Sequence, residues 1–320
     1  MLYAFAWQQI AVEALTIENE PVYFMVASGT SLNQFTRQLN TQGILAYPSF
    51  VRWYAVYKGY ANSLQAGEYK VMPGTTPKQM LKMVVNGEVT QYAFTIVEGW
   101  KSADVIDALN QHPKIKHELK GLSDQEIIKK LSIPSTHLEG IFLPDTYHFH
   151  AYASDVDCLK RAYVAMQQKI QMVWEQRSKT SILKTPYEAL ILASIIEKES
   201  GILDEYRQIS GVYQRRLAKR MRLQADPTVA YFWGDKLPQG KLFFKHLKID
   251  SPYNTYTRQG LPPTPIALPS VKALEAAVNP AAGETLYFVA TGTGGHVFTT
   301  TLQDHNKEVI KFRKRSSSNK

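Results

Sequence analysis

Cysteine occurs once in this chain, at Cys158, so no intrachain disulfide holds it together. A single thiol does not separate compartments: it fits a reducing cytosol and equally an oxidising space whose proteins avoid cysteine. No apolar run reaches the roughly 18–20 residues of a membrane span. Zinc-finger spacings and aromatic RNA-recognition motifs are both missing. The net charge of +9 and pI near 9.3 therefore point away from nucleic acid and toward an acidic polymer or an anionic lipid surface. A phosphate loop is missing too. The glycines of Gly292-Thr293-Gly294-Gly295 are followed by a strand pattern rather than a helix, which predicts a β-hairpin. His148 and His150 alternate onto one strand face, but no further His or Cys stands near them, so they read as surface residues and no metal is expected.

What is present suffices for two domains with real cores: 320 residues, 44% of them hydrophobic. Met1 to Leu15 is apolar and aromatic, interrupted by Gln8, Gln9 and Glu13. It reads either as the outer end of a span whose first half is missing or as a short amphipathic lead-in helix. After it, a strand, a glycine turn and a helix recur three times: Val22 to Ala27, Gly29, helix through Leu39; Glu68 to Met72, Gly74, helix through Val85; Phe94 to Val97, Gly99, helix through Leu109. Six and ten residues past each glycine stand Phe35 and Leu39, Met80 and Val84, Val105 and Leu109, one helical face each. These read as repeated β-turn-α units, with a helix from Ser49 to Lys58 joining the first two.

The stretch from Thr185 to Gly201 predicts a buried helix. Thr185 suits the N-cap, Pro186 the first turn and Glu188 a capping box, with Gly201 as the stop. The segment is apolar nearly all round until Glu197 and Glu199, at the end where the helix dipole disfavours negative charge. The two glutamates point about 160° apart at 100° per residue. Glu199 falls in line with Leu192, Ile195 and Ile196; Glu197 lies nearer Ser194 and Lys198. A carboxyl in apolar surroundings is pushed toward its protonated form, which suits Glu199 to general-acid work with Glu197 supporting it. Spacing alone leaves a second reading open, in which both simply solvate a helix end beside Lys198.

Elsewhere, residues 113–135 read as a helical connector, Leu138 to Phe149 as loop and short strand, Asp155 to Arg177 as a long helix, and Glu205 to Arg220 as another. The basic cluster Arg215, Arg216, Lys219, Arg220 and Arg222 reads as a solvated helix face. Asp226 precedes Pro227 as a cap for a helix from Thr228 to Trp233, or faces a site. Ser251 to Pro269 is a proline-braced loop carrying Tyr253, Asn254 and Tyr256, whose rings, amide and hydroxyls suit sugars. Lys314 onward reads as a disordered tail.

Taken in order, Ala193-Ser-Ile-Ile-Glu-Lys-Glu199, Met221-Arg-Leu-Gln-Ala-Asp-Pro-Thr-Val229, Tyr253-Asn-Thr-Tyr256, Gly260-Leu-Pro-Pro263 and Gly294-Gly-His296 resemble the MltG (YceG-like) endolytic murein transglycosylases. Leu138 to Tyr147 looks like that family's Glu-Gly…Pro-Asp-Thr stretch, and the resemblance runs from about Val22 to Val309. It implies an α+β chain with a LysM-like module at 21–92 and a mixed α/β catalytic domain at 93–313 built on a buried central helix. Residues 1–20 would be an anchor remnant or lead-in and 314–320 a tail. It implies a bacterial inner-membrane protein working on the periplasmic face, with peptidoglycan glycan strands as substrate, synthases as possible partners and no cofactor. Glu199 would be catalytic, Glu197 and Asp226 supporting, and Gln224, Tyr253, Asn254, Tyr256 and Glu139 glycan-holding. Cleavage of a MurNAc–GlcNAc bond would leave a 1,6-anhydroMurNAc end. Two rival classes stay beside it: a pyridoxal-phosphate-dependent aminodeoxychorismate lyase using Lys198, and a non-catalytic glycan-binding scaffold.

Overall fold

The computed structural model describes residues 2–17, 19–292 and 294–318. Its elements divide into two compact units: Met1–Phe94 with Lys114–Lys116 and His148–Ala153, and Thr95–Pro113 with His117–Tyr147 and Ser154–Lys320. The fold is α+β, with two-stranded sheets set among helices.

In the first unit a short helix, α1 (Leu2–Ala11), precedes β1 (Val22–Val26), α2 (Leu32–Thr41), α3 (Pro48–Tyr57), β2 (Gly67–Val71) and α4 (Pro77–Asn86). Capping boxes start α2 and α4. Ser31 Oγ accepts from Gln34 N while the Gln34 side chain accepts from Ser31 N, and Thr76 and Gln79 repeat the exchange. β1 and β2 pair antiparallel, Val22 opposite Val71 and Val26 opposite Gly67. The β-turn-α stretches are thus not equivalent repeats. The first two strands satisfy each other's backbone groups in one β-α-α-β arrangement, whereas the third belongs to another sheet. The periodic residues Phe35, Leu39, Met80 and Val84 are buried and share a core with Phe24, Tyr69 and Ile10 of α1. No described helix is long and apolar enough to cross a membrane.

Next come β3 (Gln91–Thr95), α5 (Ser102–Gln111), β4 (Ile115–Lys116), α6 (Asp124–Leu131), β5 (Thr146–His150) and β6 (Ala153–Ser154), β3 pairing with β5 and β4 with β6. His148 and His150 are exposed on β5. The rest of the second unit, which also holds α5 and α6, is built from α7 (Asp155–Glu175), α8 (Pro186–Glu199), α9 (Tyr206–Ala218), α10 (Asp226–Trp233), α11 (Phe244–Leu247), α12 (Val271–Val278), the hairpin β7 (Tyr287–Ala290) and β8 (His296–Thr299), and α13 (Leu302–Ser318). α8 is its centre. Residues 189–196 are all buried, and α7, α9, α10 and α12 pack around them. Burial on every side explains why no amphipathic stripe shows in its sequence.

Three expectations change. The tail from Lys314 is not disordered through Ser318, because α13 continues to that residue. Lys307–Asp304 and Lys311–Glu308 pairs brace α13, and Arg315 donates to Thr291 O. Asn319 and Lys320 lie outside the described residues. The basic cluster splits: Lys219, Arg220 and Arg222 are exposed, but Arg216 is buried and gives its guanidinium to the carbonyls of Leu286, Arg222 and Leu223. Arg215 likewise donates to Thr285 O and Ala281 O. Finally, Glu188 does not close a box on Thr185; it accepts from Lys184 N, while Thr185 Oγ1 still caps Glu188 N.

Candidate active site

The C-terminal turn of α8 opens into a cleft of about 850 Å³, with Thr95, Glu98, Asp145, Glu197, Glu199 and Tyr206 among its walls. The helix stops because Ser200 turns extended, at φ −141° and ψ 141°. Gly201 plays no left-handed capping role.

Glu197 and Glu199 diverge as their spacing requires. Glu197 turns to the N-terminus of α12, where Oε2 accepts from Ser270 N at 2.9 Å and Ser270 Oγ at 2.5 Å. Its Oε1 accepts from Tyr206 OH at 3.3 Å. A helix N-terminus is a favourable place for a carboxylate. Burial, with the charge of Glu197 second to it, pushes the Glu98 carboxyl above its ordinary range.

Glu199 meets the opposite environment. The residue is half-buried, and it lines the cleft. Burial raises its pKa to about 7; the Tyr213 hydroxyl, donating to Oε1, pulls against that, the Asp226 charge adds to it and Arg216 opposes it. Half of the carboxyl is therefore protonated near neutrality. Tyr213 was not among the sequence candidates. It lies 14 residues on, in the buried face of α9 with Tyr206 and Ile209, and nothing in that spacing separates it from an ordinary core aromatic.

Asp226 comes to the same neighbourhood from α10. It is not the N-cap, a position held by Ala225, but lies in the first turn and accepts from Tyr256 OH. Two tyrosine–carboxyl pairs thus stand near one another, Tyr213 on Glu199 and Tyr256 on Asp226. The loop between α9 and α10 is held by Arg216, which reaches Gln224 Oε1 at 3.3 Å. Gln224 sits in the left-handed region at φ 53°, with its N–H on Thr255 O.

A further cluster fixes the end of α8. Glu205 accepts from Ser200 Oγ at 3.0 Å and from His296 N at 2.7 Å, and its other contact is His296 Nδ1 at 2.7 Å. Gly295 allows this approach: at φ +85°, a Cβ there would stand 2.7 Å from Glu205 Oε1. The His296 ring packs edge-on to Phe288, and Phe288 packs edge-on to Tyr213. Burial raises the Glu205 pKa, but the bonds from His296 and Ser200 outweigh it and hold the carboxyl below its ordinary range. Its contribution is therefore present at neutral pH and is lost as pH falls through that lowered value. His296→Ala should cost about 2–3 kcal/mol at pH 7 through the lost charge-assisted bond. Chemical denaturation at pH 7 checks this, and a cost below 0.5 kcal/mol (about the scatter of surface substitutions) would contradict it.

The remaining sugar candidates do not join Glu199. Asn254 is 1% exposed, and its amide is engaged by the loop itself: Nδ2 donates to Leu247 O and Ile249 O, and Oδ1 accepts from Tyr256 N. It braces the loop and offers no group to a glycan. Glu139 and Tyr253 line a separate pocket of about 340 Å³. Lys198 is exposed and its ammonium donates to Gly99 O at 3.1 Å.

Residues 24–311 match the YceG-like family. An endolytic murein transglycosylase of Bacillus subtilis (strain 168) is 31% identical over 90% of this chain and 83% of its own length. One from Streptococcus pneumoniae (strain ATCC BAA-255 / R6) is 27% identical over 95% of this chain, which spans 61% of that relative. The crystal structure of a YceG-like protein of Listeria monocytogenes superposes with a TM-score of 0.58 at 28% identity, covering 91% of this chain and 99% of the other.

Proposed function

The chain belongs to the YceG-like family, and from that premise we propose that it is an endolytic murein transglycosylase whose acid is Glu199. The observation that carries this reading is the state of the Glu199 carboxyl: half-buried in the cleft wall, bonded by Tyr213 and raised to about 7. A general acid needs a pKa near the working pH.

The reaction balances without water. Glu199 donates its proton to the glycosidic oxygen as the bond from that oxygen to C1 of MurNAc breaks. The C6 hydroxyl of the same sugar then forms a bond to C1 and returns its proton to Glu199. One carboxyl serves as acid and then as base, and the products are a 1,6-anhydroMurNAc end and a free 4-hydroxyl on GlcNAc. This is lyase chemistry, and it asks no second carboxylate to activate a nucleophile. Mass spectrometry of digested murein strands tests it: new ends should carry the anhydro ring, and reducing MurNAc ends would overturn it.

In this reading Glu197 is a positioning residue, since its carboxylate is engaged by Ser270 and Tyr206. Asp226 tunes Glu199 by charge, and Gln224 and Tyr256 border the site from the α9–α10 side. Lys198, on the exposed rim, has no part in it.

The β-α-α-β unit around β1 and β2 is read as a LysM-like module that holds glycan strands, with boundaries near 21–92. Deleting it should weaken binding to murein sacculi by tenfold or more while cleavage of short soluble glycans continues. A pull-down with purified sacculi measures this, and undiminished binding would count against the module. Attachment to the membrane's outer face and work beside murein synthases follow from the family resemblance alone; co-fractionation with membranes would test the first.

A further inference from the structure

The second pocket is the most informative feature outside the cleft. It lies at the start of α5 and is walled by Lys101, Asp124, Gln125, Glu139, Tyr231 and Tyr253. Glu139 Oε1 accepts from Ser102 N at 3.0 Å, and Oε2 accepts from Tyr231 OH at 3.1 Å. The Tyr231 and Tyr253 rings lie 5.0 Å apart, tilted by 55°, and the Lys101 ammonium stands 5.7 Å from the Tyr231 centroid. Tyr253 OH pairs with Thr264 Oγ1 at 2.8 Å.

The pocket and the cleft are built from the same two segments. Along the first, Thr95 to Glu98 line the cleft and Lys101 to Ala103 line the pocket. Along the second, Pro144 to Thr146 line the cleft, while Leu138 and Glu139 line the pocket. Three residues from Glu98 to Lys101 reach at most about 11 Å even fully extended. The two rims are therefore close enough for a single polymer to occupy both.

We infer that this pocket is a second saccharide subsite, which takes an N-acetylated hexose of the strand being cut at Glu199. This rests on the proposed transglycosylase reading and extends it to how the strand is gripped. The chemistry selects the ligand class. Aromatic walls suit the C–H faces of a pyranose, while the Gln125 amide and the carboxyl and hydroxyl groups match its hydroxyls and N-acetyl amide. Charges of both signs, Lys101 against Asp124 and Glu139, oppose a ligand of either net charge. The volume, about 340 Å³, lies at the small end of ligand pockets. A hold on the strand away from the cut favours internal cleavage, because a chain end would leave one of the two sites empty.

The first variant plugs the pocket without removing any of its polar groups. Ala103 is exposed on α5 and lines it. In a Glu199→Gln background, which binds without turnover, Ala103→Trp should weaken the affinity for long uncrosslinked murein glycan strands by about tenfold, read by fluorescence titration. If Ala103→Trp fails to fold, Gln125→Trp on α6 obstructs the same space from the facing wall. Unchanged affinity with either folded variant overturns the subsite. Weakened affinity, together with reducing rather than anhydro ends from the unmutated chain, upholds the subsite and overturns the catalytic reading instead.

Discussion

Glu199→Gln should fold, bind strands and lose on the order of 10²–10⁴ in rate, the usual contribution of a general acid. Glutamine keeps the volume and its amide oxygen still accepts from Tyr213 OH, but it has no proton to give. The pH dependence goes with it. In the unmutated chain kcat/KM should fall as pH rises through about 7, because the acid is then ionised. Stability carries an independent sign. A carboxyl raised from 4.5 to about 7 keeps its proton in the folded state where the unfolded chain has released it, so it costs stability as pH rises across that window. The cost is about 3 kcal/mol above pH 7 at 1.36 kcal/mol per unit. Glu199→Gln removes it and should melt higher than the unmutated chain at pH 8. An inactive protein that also melts lower would mean that the substitution had damaged the fold rather than the chemistry. Glu197→Gln should cost less rate, and a greater loss there with both proteins folded would reverse the assignment.

Asp226→Asn should slow the reaction without changing its product. The attack by the C6 hydroxyl is intramolecular, with an effective concentration of roughly 10⁵ M or more at best. Water at about 55 M competes poorly with a nucleophile so placed. In heavy-oxygen water the new MurNAc ends should therefore carry no label, in Asp226→Asn as in the unmutated chain. The substitution also removes a negative charge that raises Glu199, so the alkaline limb of the pH profile should move to lower pH. Asp226 is a carboxyl close enough for its charge to act on Glu199, and a hydrolase would use such a pair with an activated water between them. Label in the main product would falsify the transglycosylase assignment and make Asp226 the base of a lysozyme-like hydrolysis.

The two cases differ in how much of them could be read from the chain. Local order was legible where it depends on neighbours in sequence. Thr185 begins α8, the i, i+4 pairs of α2, α4 and α5 are buried, and a hairpin closes around the glycines at 292–295. The opposed directions of Glu197 and Glu199 follow from helix geometry alone. In the same way, the ordered motifs were enough to resemble one family.

Partners across the chain were not legible. Tyr213 donates to Glu199 only because α9 packs on α8, and His296 reaches Glu205 across 91 positions. Arg216 is a buried brace rather than a solvated charge because the α9–α10 loop and Leu286 bring their carbonyls to it. Asn254 is engaged by its own loop, while Glu139 and Tyr253 gather in a second pocket. Sequence by itself determined which faces are apolar and that Glu197 and Glu199 point apart, since these are periodic properties of a single element. Tertiary structure decided what each inward-facing group meets, and with it the raised pKa of Glu199. Desolvation and hydrogen bonding come from atoms that the fold, not the local sequence, places beside it.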